Sequence, residues 1–144
     1  MKVQREIHIA AAPARVYEVV MDPSRLKDWV SIHKALVSSP EGSLVKGSEL
    51  TQTLKLAGRP FTVHWTVVEA DPVRRVVWEG RGPVRSRATV IYEFREQEGH
   101  TDFSYSNEYH LPGGALGRMA EPAVKRVTAR EVDKTLQRLK ALVE

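Results

Sequence analysis

The chain has 144 residues, 42% of them hydrophobic and 28% charged, which suits one folded domain with a single core and excludes a disordered chain. Its 22 Lys and Arg against 18 Asp and Glu leave a net charge of +4. The two signs are interleaved, so the clustered basic stripe needed for phosphate-backbone binding is missing and no nucleic-acid partner is expected. With no cysteine, disulfides, thiolate metal sites and a cysteine nucleophile are excluded.

No apolar run approaches the roughly 18 residues of a membrane span, so no stable membrane insertion is expected. The opening MKVQREIHIAAAP has no continuous apolar stretch of signal-peptide length, and the expected location is cytoplasmic. VQREIHIA alternates Val3, Arg5, Ile7 and Ile9 against Gln4, Glu6 and His8 and reads as a first strand. APARVYEVVMDPSRLKDWV then has Pro13 at a helix start and is interrupted at Asp22-Pro23, which predicts two short helices. Strand-like runs follow near 31–39, 48–57, 60–70, 74–80, 86–97 and 101–111, punctuated by PEG, AGRP, ADP, GRGP and EQEGH. Such short turns imply an antiparallel meander.

After LPGG the period becomes helical, with Val124, Thr128, Val132, Thr135, Leu139 and Leu142 on one stripe and Leu136 and Val143 beside it. Pro122 suits a first turn and disrupts an interior. The expectation is therefore a short lead-in near 113–120, then one long helix to about 143. Strands followed by a helix mean α+β. A curved antiparallel sheet of about seven strands must cover its apolar face, and the long C-terminal helix is the large element available to do so.

This element order, with PARVYEVVMDPSRLKDW after the first strand, VVEADPVRRVVWEG in mid-chain and ATVIYEFREQEGHTDFSYSNEYHLPG before the last helix, resembles the START-like or SRPBCC superfamily. The similarity spans the chain as a single domain, 1–144, and is greatest to the branch of polyketide cyclase/dehydratase and lipid-transport proteins. It implies a helix-grip fold enclosing an elongated hydrophobic cavity between sheet and C-terminal helix. Members of the superfamily include lipid carriers, ligand sensors, aromatase/cyclases and chaperone activators.

Strand alternation sorts the faces. Phe61, Val63, Trp65 and Val67 share the side better suited to burial, which turns His64 outward among threonines. The inward sets elsewhere are Leu50, Gln52, Leu54 and Leu56; Val76 and Trp78, with Val77 outward; Ala88, Val90, Tyr92 and Phe94; and Phe103, Tyr105, Asn107 and Tyr109. This face is large, apolar and aromatic with a sparse polar minority. A ligand pocket uses that composition to orient a mostly apolar guest, whereas a packed core avoids inward Gln and Asn.

Ala123, Val124 and Thr128 offer small groups from the first half of the long helix, which predicts a cavity there and a dry anchor under the second half. Trp29 and the loop GRGPVR are expected at the mouth, with Gly80, Gly82 and Pro83 shaping the loop and Arg81 and Arg85 available to an acidic headgroup. The expected ligand-binding set is Trp29, Gln52, Leu54, Phe61, Val63, Trp65, Trp78, Tyr92, Phe103, Tyr105, Asn107, Tyr109, Val124 and Thr128.

The five histidines lie in different elements and none has metal-ligand spacing, so no metal site is expected. No serine-hydrolase elbow, Walker loop or dinucleotide fingerprint appears, so no cofactor is expected. The reading is thus a binding or transport domain for a small hydrophobic molecule such as a lipid, quinone or polyketide. One alternative is a cofactor-independent cyclase, dehydratase or isomerase, with Tyr105 and Asn107 as donors and Glu131 as base. The other is a chaperone-activator-like interaction module. Polar atoms only at the pocket mouth mark a carrier, a deep convergent donor and base mark an enzyme, and a filled core with an exposed apolar patch marks an interaction module.

Overall fold

The computed structural model describes residues 1–144, apart from the side chains of residues 115–117. Alternation of small and apolar residues with charged ones gives seven strands: β1 (Lys2–Ile9), β2 (His33–Ser38), β3 (Glu49–Leu56), β4 (Arg59–Asp71), β5 (Arg75–Arg81), β6 (Arg87–Gln97) and β7 (His100–His110). Two short helices, α1 (Pro13–Val20) and α2 (Leu26–Trp29), follow β1, and α3 (Gly114–Val143) ends the chain. The strands form one antiparallel sheet in the order β1-β7-β6-β5-β4-β3-β2. The helices α1 and α2 carry the chain from one sheet edge to the other.

Local chemistry sets these boundaries. Pro13 supplies the first position of α1, where its missing N–H costs nothing. Asp22 accepts from the Ser24 backbone N–H at 3.0 Å and from the Ser24 hydroxyl at 2.6 Å, turning the chain at the Asp-Pro break. The β3–β4 and β6–β7 hairpins turn on Ala57-Gly58 and Glu98-Gly99, all four with positive φ. That geometry matches the right-handed twist of the flanking strands. In β4 the register shifts between Val67 and Glu69. The inner phase passes there from Val63, Trp65 and Val67 to Ala70, which faces Val76.

The core gathers Val16, Val19, Val20, Leu26 and Trp29 from the short helices with the sheet's inner face and with Val132, Leu136, Leu139 and Val143 of α3. Ionic contacts tie the C-terminus over β1: the Lys140 ammonium donates to the His8 carbonyl at 3.1 Å, and the Glu144 carboxylate accepts from the Ala10 N–H at 2.7 Å.

Three expectations change. There is no separate lead-in: α3 begins at Gly114 and runs through Pro122. The proline deprives the Arg118 carbonyl of its helical donor, and both residues are exposed or half-exposed, so water can take that role. Ala123 faces solvent and not the sheet. Val77 points outward yet is buried, because its central strand places it between Glu69 and Ile91, and it lies outside the core cluster.

Candidate functional site

Three cross-strand rows build the inner wall. The first runs Leu50, Trp65, Gly80, Ala88, Tyr109 across β3 to β7, the second Val67, Trp78, Val90, Asn107, and the third Val76, Tyr92, Tyr105. In the first row the two residues between the aromatics are Gly80 and Ala88, so the middle of the sheet presents almost no side chain. A Cβ at Gly80 would lie 2.7 Å from the Trp65 ring and 2.8 Å from Val63, which explains why only glycine lets Trp65 lie flat against β5.

Above this low point lies a cavity of about 640 Å³. The strands contribute Gln52, Leu54, Phe61, Val63, Trp65, Trp78, Val90, Tyr92, Tyr105, Asn107 and Tyr109 to its lining. Helix α3 contributes Val124, Thr128, Glu131, Val132 and Thr135, and the segment around α2 contributes Leu26, Val30 and Ile32. The mouth is formed by Arg59 and Pro60 of the β3–β4 hairpin, by the β5–β6 loop from Gly82 to Val84, and by Leu111 and Pro112 before α3.

Two of the expected lining residues are elsewhere. Trp29 is fully buried and meets Tyr92 edge-on at 5.8 Å, because α2 turns its last residue into the core and away from the mouth. Phe103 is also fully buried, stacked on Tyr92 at 5.6 Å and edge-on to Phe94 at 5.2 Å. Both back the cavity wall from behind Tyr92. The arginines change as well: Arg81 pairs in register with His64 on the outer face and lines a polar depression there, and Arg85 is exposed beside the mouth. The arginines that line the cavity are Arg59 and Arg87.

Polar groups in the lining are tied to one another. Trp65 Nε1 donates to Gln52 Oε1 at 3.0 Å, and Gln52 Nε2 lies 2.9 Å from His33 Nδ1. Since the Gln52 amide nitrogen donates, His33 Nδ1 accepts, and burial lowers the His33 pKa in keeping with a neutral ring. The Tyr109 hydroxyl donates to Thr128 Oγ1 at 3.2 Å, and Thr128 donates to the Val124 carbonyl at 2.8 Å. Tyr109 is thus a strut between β7 and the first half of α3. Outside the cavity, His64 Nδ1 lies 3.1 Å from the Thr51 hydroxyl on the solvent face.

Protonation is likewise set by surroundings. Burial pushes the Tyr105 phenol up to about 12, with Asn107 and Tyr92 counteracting in part. Burial, followed by proximity to Tyr105, raises Tyr92 well above its ordinary value. Glu131 moves the other way: the Ser31 hydroxyl at 2.7 Å holds its carboxylate ionised, helped by Lys134 at 3.3 Å. Ser31 also accepts from Thr135 Oγ1 at 3.0 Å. Trp78 Nε1 and Asn107 Oδ1, in one cross-strand row, are buried without a hydrogen-bond partner. The arrangement thus offers neutral hydrogen-bond donors on an aromatic wall and one carboxylate of weakened basicity. Among the described residues no group of three or more His, Asp or Glu could hold a metal ion.

The sequence did not single out Ser31, Val30, Ile32, Arg59 or Leu111. Val30, Ser31 and Ile32 join α2 to β2, at the seam between the helical run and the strand-like run 31–39, and nothing local says that this junction borders the cavity.

Comparison with known proteins fits this geometry. The profile of the polyketide cyclase/dehydrase and lipid transport family matches residues 1–144. Toxin Rv0910 of Mycobacterium tuberculosis is 25% identical over 115 residues, covering 80% of this chain and 78% of that protein. Among solved structures, TTHA0849 from Thermus thermophilus superposes with a TM-score of 0.81 at 20% identity, over 99% of this chain and 97% of that one. The ZhuI aromatase/cyclase from Streptomyces sp. R1128 does so with a TM-score of 0.79 at 15% identity, over 99% and 93%. These two likenesses speak for the helix-grip fold. Matched from its first residue to its last, the chain belongs to the polyketide cyclase/dehydrase and lipid-transport family.

Proposed function

We propose that the protein binds and carries a small, largely apolar molecule in the cavity between the sheet and α3. The observation that carries this reading is the cavity itself: about 640 Å³, walled mostly by apolar and aromatic side chains, with a few neutral polar groups, the Glu131 carboxylate and two arginines, Arg59 and Arg87, among them. That is the composition and size of small-molecule sites. It also argues against the interaction-module alternative, which requires a filled core.

A cyclase or dehydratase on the same frame needs a base poised near neutral pH. Tyr92 and Tyr105 are poor acids and act as hydrogen-bond donors, while Ser31 holds Glu131 as a weak base. The donors lie deep, as in an enzyme, but the carboxylate beside them is held ionised as a weak base; this favours binding without turnover, with the tyrosines and Asn107 orienting a carbonyl or hydroxyl of the guest.

The test is a titration with an apolar fluorescent probe, read by energy transfer from Trp65 and Trp78, in the wild type and in Ala88→Leu. Ala88 borders the low point of the sheet, so leucine projects into the cavity. The expected result is saturable binding near one probe per chain, weakened at least ten-fold in a folded A88L. Absence of saturable binding, or equal affinity in the two proteins, would overturn the reading.

A further inference from the structure

The cavity mouth has a property that ligand binding alone does not require. Among the described residues six large hydrophobic side chains are exposed; two of them, Val84 and Leu111, line this mouth, and a third, Met119, precedes a lining residue in α3. Val84 and Leu111 line the opening at 78% and 43% exposure. Met119, also 78% exposed, lies one position before the lining residue Ala120 in α3.

Val84 is also strained. Its φ of 55° and ψ of 39° are left-handed, a conformation that β-branched residues rarely adopt, and the next residue, Arg85, has a φ of 61°. The loop holds an apolar side chain outward in an unfavourable backbone geometry, where burial in the protein would have been the ordinary outcome.

Charge accompanies the apolar rim. Arg59, Arg85 and Arg87 surround the opening, and none is in an ion pair among the described residues. Two acids are near: Glu121, close enough to Tyr109 to help raise its pKa, and Glu131, deeper in the lining and engaged by Ser31 and Lys134. Three unpaired guanidinium groups around protruding aliphatic side chains complement a surface that is anionic outside and apolar beneath.

We propose that this rim docks reversibly on an anionic lipid bilayer, with Val84, Leu111 and Met119 entering the acyl boundary and Arg59, Arg85 and Arg87 meeting phosphate headgroups. No helix among the described residues is long and apolar enough to cross a membrane, so the contact is peripheral. Its strength comes from buried apolar area plus about 1 kcal/mol for each arginine near the surface. Docking in this orientation opens the cavity onto the lipid phase, so an apolar guest passes between membrane and protein without crossing water. The rim can dock whether or not the cavity is filled.

The chain has no cysteine, so one can be introduced at will. Val84→Cys carries an environment-sensitive fluorophore at the rim, and Val37→Cys, 62% exposed on the far edge strand β2, serves as the control. The vesicles are phosphatidylcholine alone, or phosphatidylcholine with one quarter phosphatidylglycerol. The expected result is a blue shift at position 84 with the anionic vesicles, absent at position 37 and lost in raised salt. In the unlabelled chain, Arg85→Gln weakens sedimentation with these vesicles about five-fold, and Val84→Asp abolishes it.

Probe titration of both variants in solution reports whether the cavity still binds, so failure of docking is distinguishable from failure of the cargo reading. An equal response at both positions, binding indifferent to headgroup charge, or wild-type sedimentation of V84D and R85Q would each overturn the proposal. So would a concentration-dependent shift without vesicles, which would assign the rim to a second copy of the chain.

Discussion

His33 is where the cavity wall meets a titratable group. Its ring accepts from Gln52, whose carbonyl end accepts in turn from the Trp65 indole, and Gln52 is only 3% exposed. When His33 takes a proton, Nδ1 becomes a donor, and Gln52 must turn its oxygen toward it and its NH2 group toward another donor, Trp65. The folded-state pKa is lowered from its ordinary 6.5 by burial. Above 6.5 both folded and unfolded chains hold a neutral ring. As pH falls through that value the unfolded chain binds a proton first, so stability falls until the folded site protonates as well. Denaturant unfolding between pH 8 and 5 is expected to show this loss, and His33→Leu is expected to lessen its slope. An unchanged slope in H33L would assign the acid sensitivity to other groups. Alternation of two placed Gln52 on the inner face from sequence alone. Its link to His33 was not legible, because two register shifts in β2 set which β2 side chain meets it.

At the scale of elements, the strands and their order follow from alternation and turn residues, and the sheet's low point follows from Gly80 and Ala88 falling in one row. The start of α3 at Gly114 differs from the expected one near Pro122, since a proline inside a helix costs about 3 kcal/mol and its ordinary place is the first turn. That cost is reduced where the deprived carbonyl of Arg118 remains in water. The consequence is local: residues 114–121 are joined to the rest of α3 by a ladder missing one rung. Pro122→Ala is expected to slow amide exchange across 114–121 relative to wild type, with little change across 131–143. Uniform slowing along the whole helix would show that α3 unfolds as one unit, without a weak joint at the proline. The trace left by Trp29 is different again. Its position after a short helix suggested a mouth residue, but a four-residue helix presents its last side chain wherever packing pulls it, and here that is the core behind Tyr92.

The whole molecule divides along α3, about 45 Å long at 30 residues. Its C-terminal half is bolted down: Leu136 and Leu139 are buried among side chains from β1, α1 and α2, and Lys140 and Glu144 hold the end against β1. Its N-terminal half spans the cavity and is tied to β7 by the Tyr109 strut. The two halves should therefore respond differently to the same loss of volume. Leu139→Ala removes a fully buried side chain from close packing and is expected to cost about 2–5 kcal/mol. Val124→Ala enlarges a space that already exists, removes few contacts and is expected to cost less than about 1 kcal/mol, while changing probe affinity. Denaturant unfolding of the two variants, paired with the probe titration, measures both effects. If Val124→Ala destabilised the protein as much as Leu139→Ala, the first half of α3 would be a packed helix, and the chain would have no room for a guest.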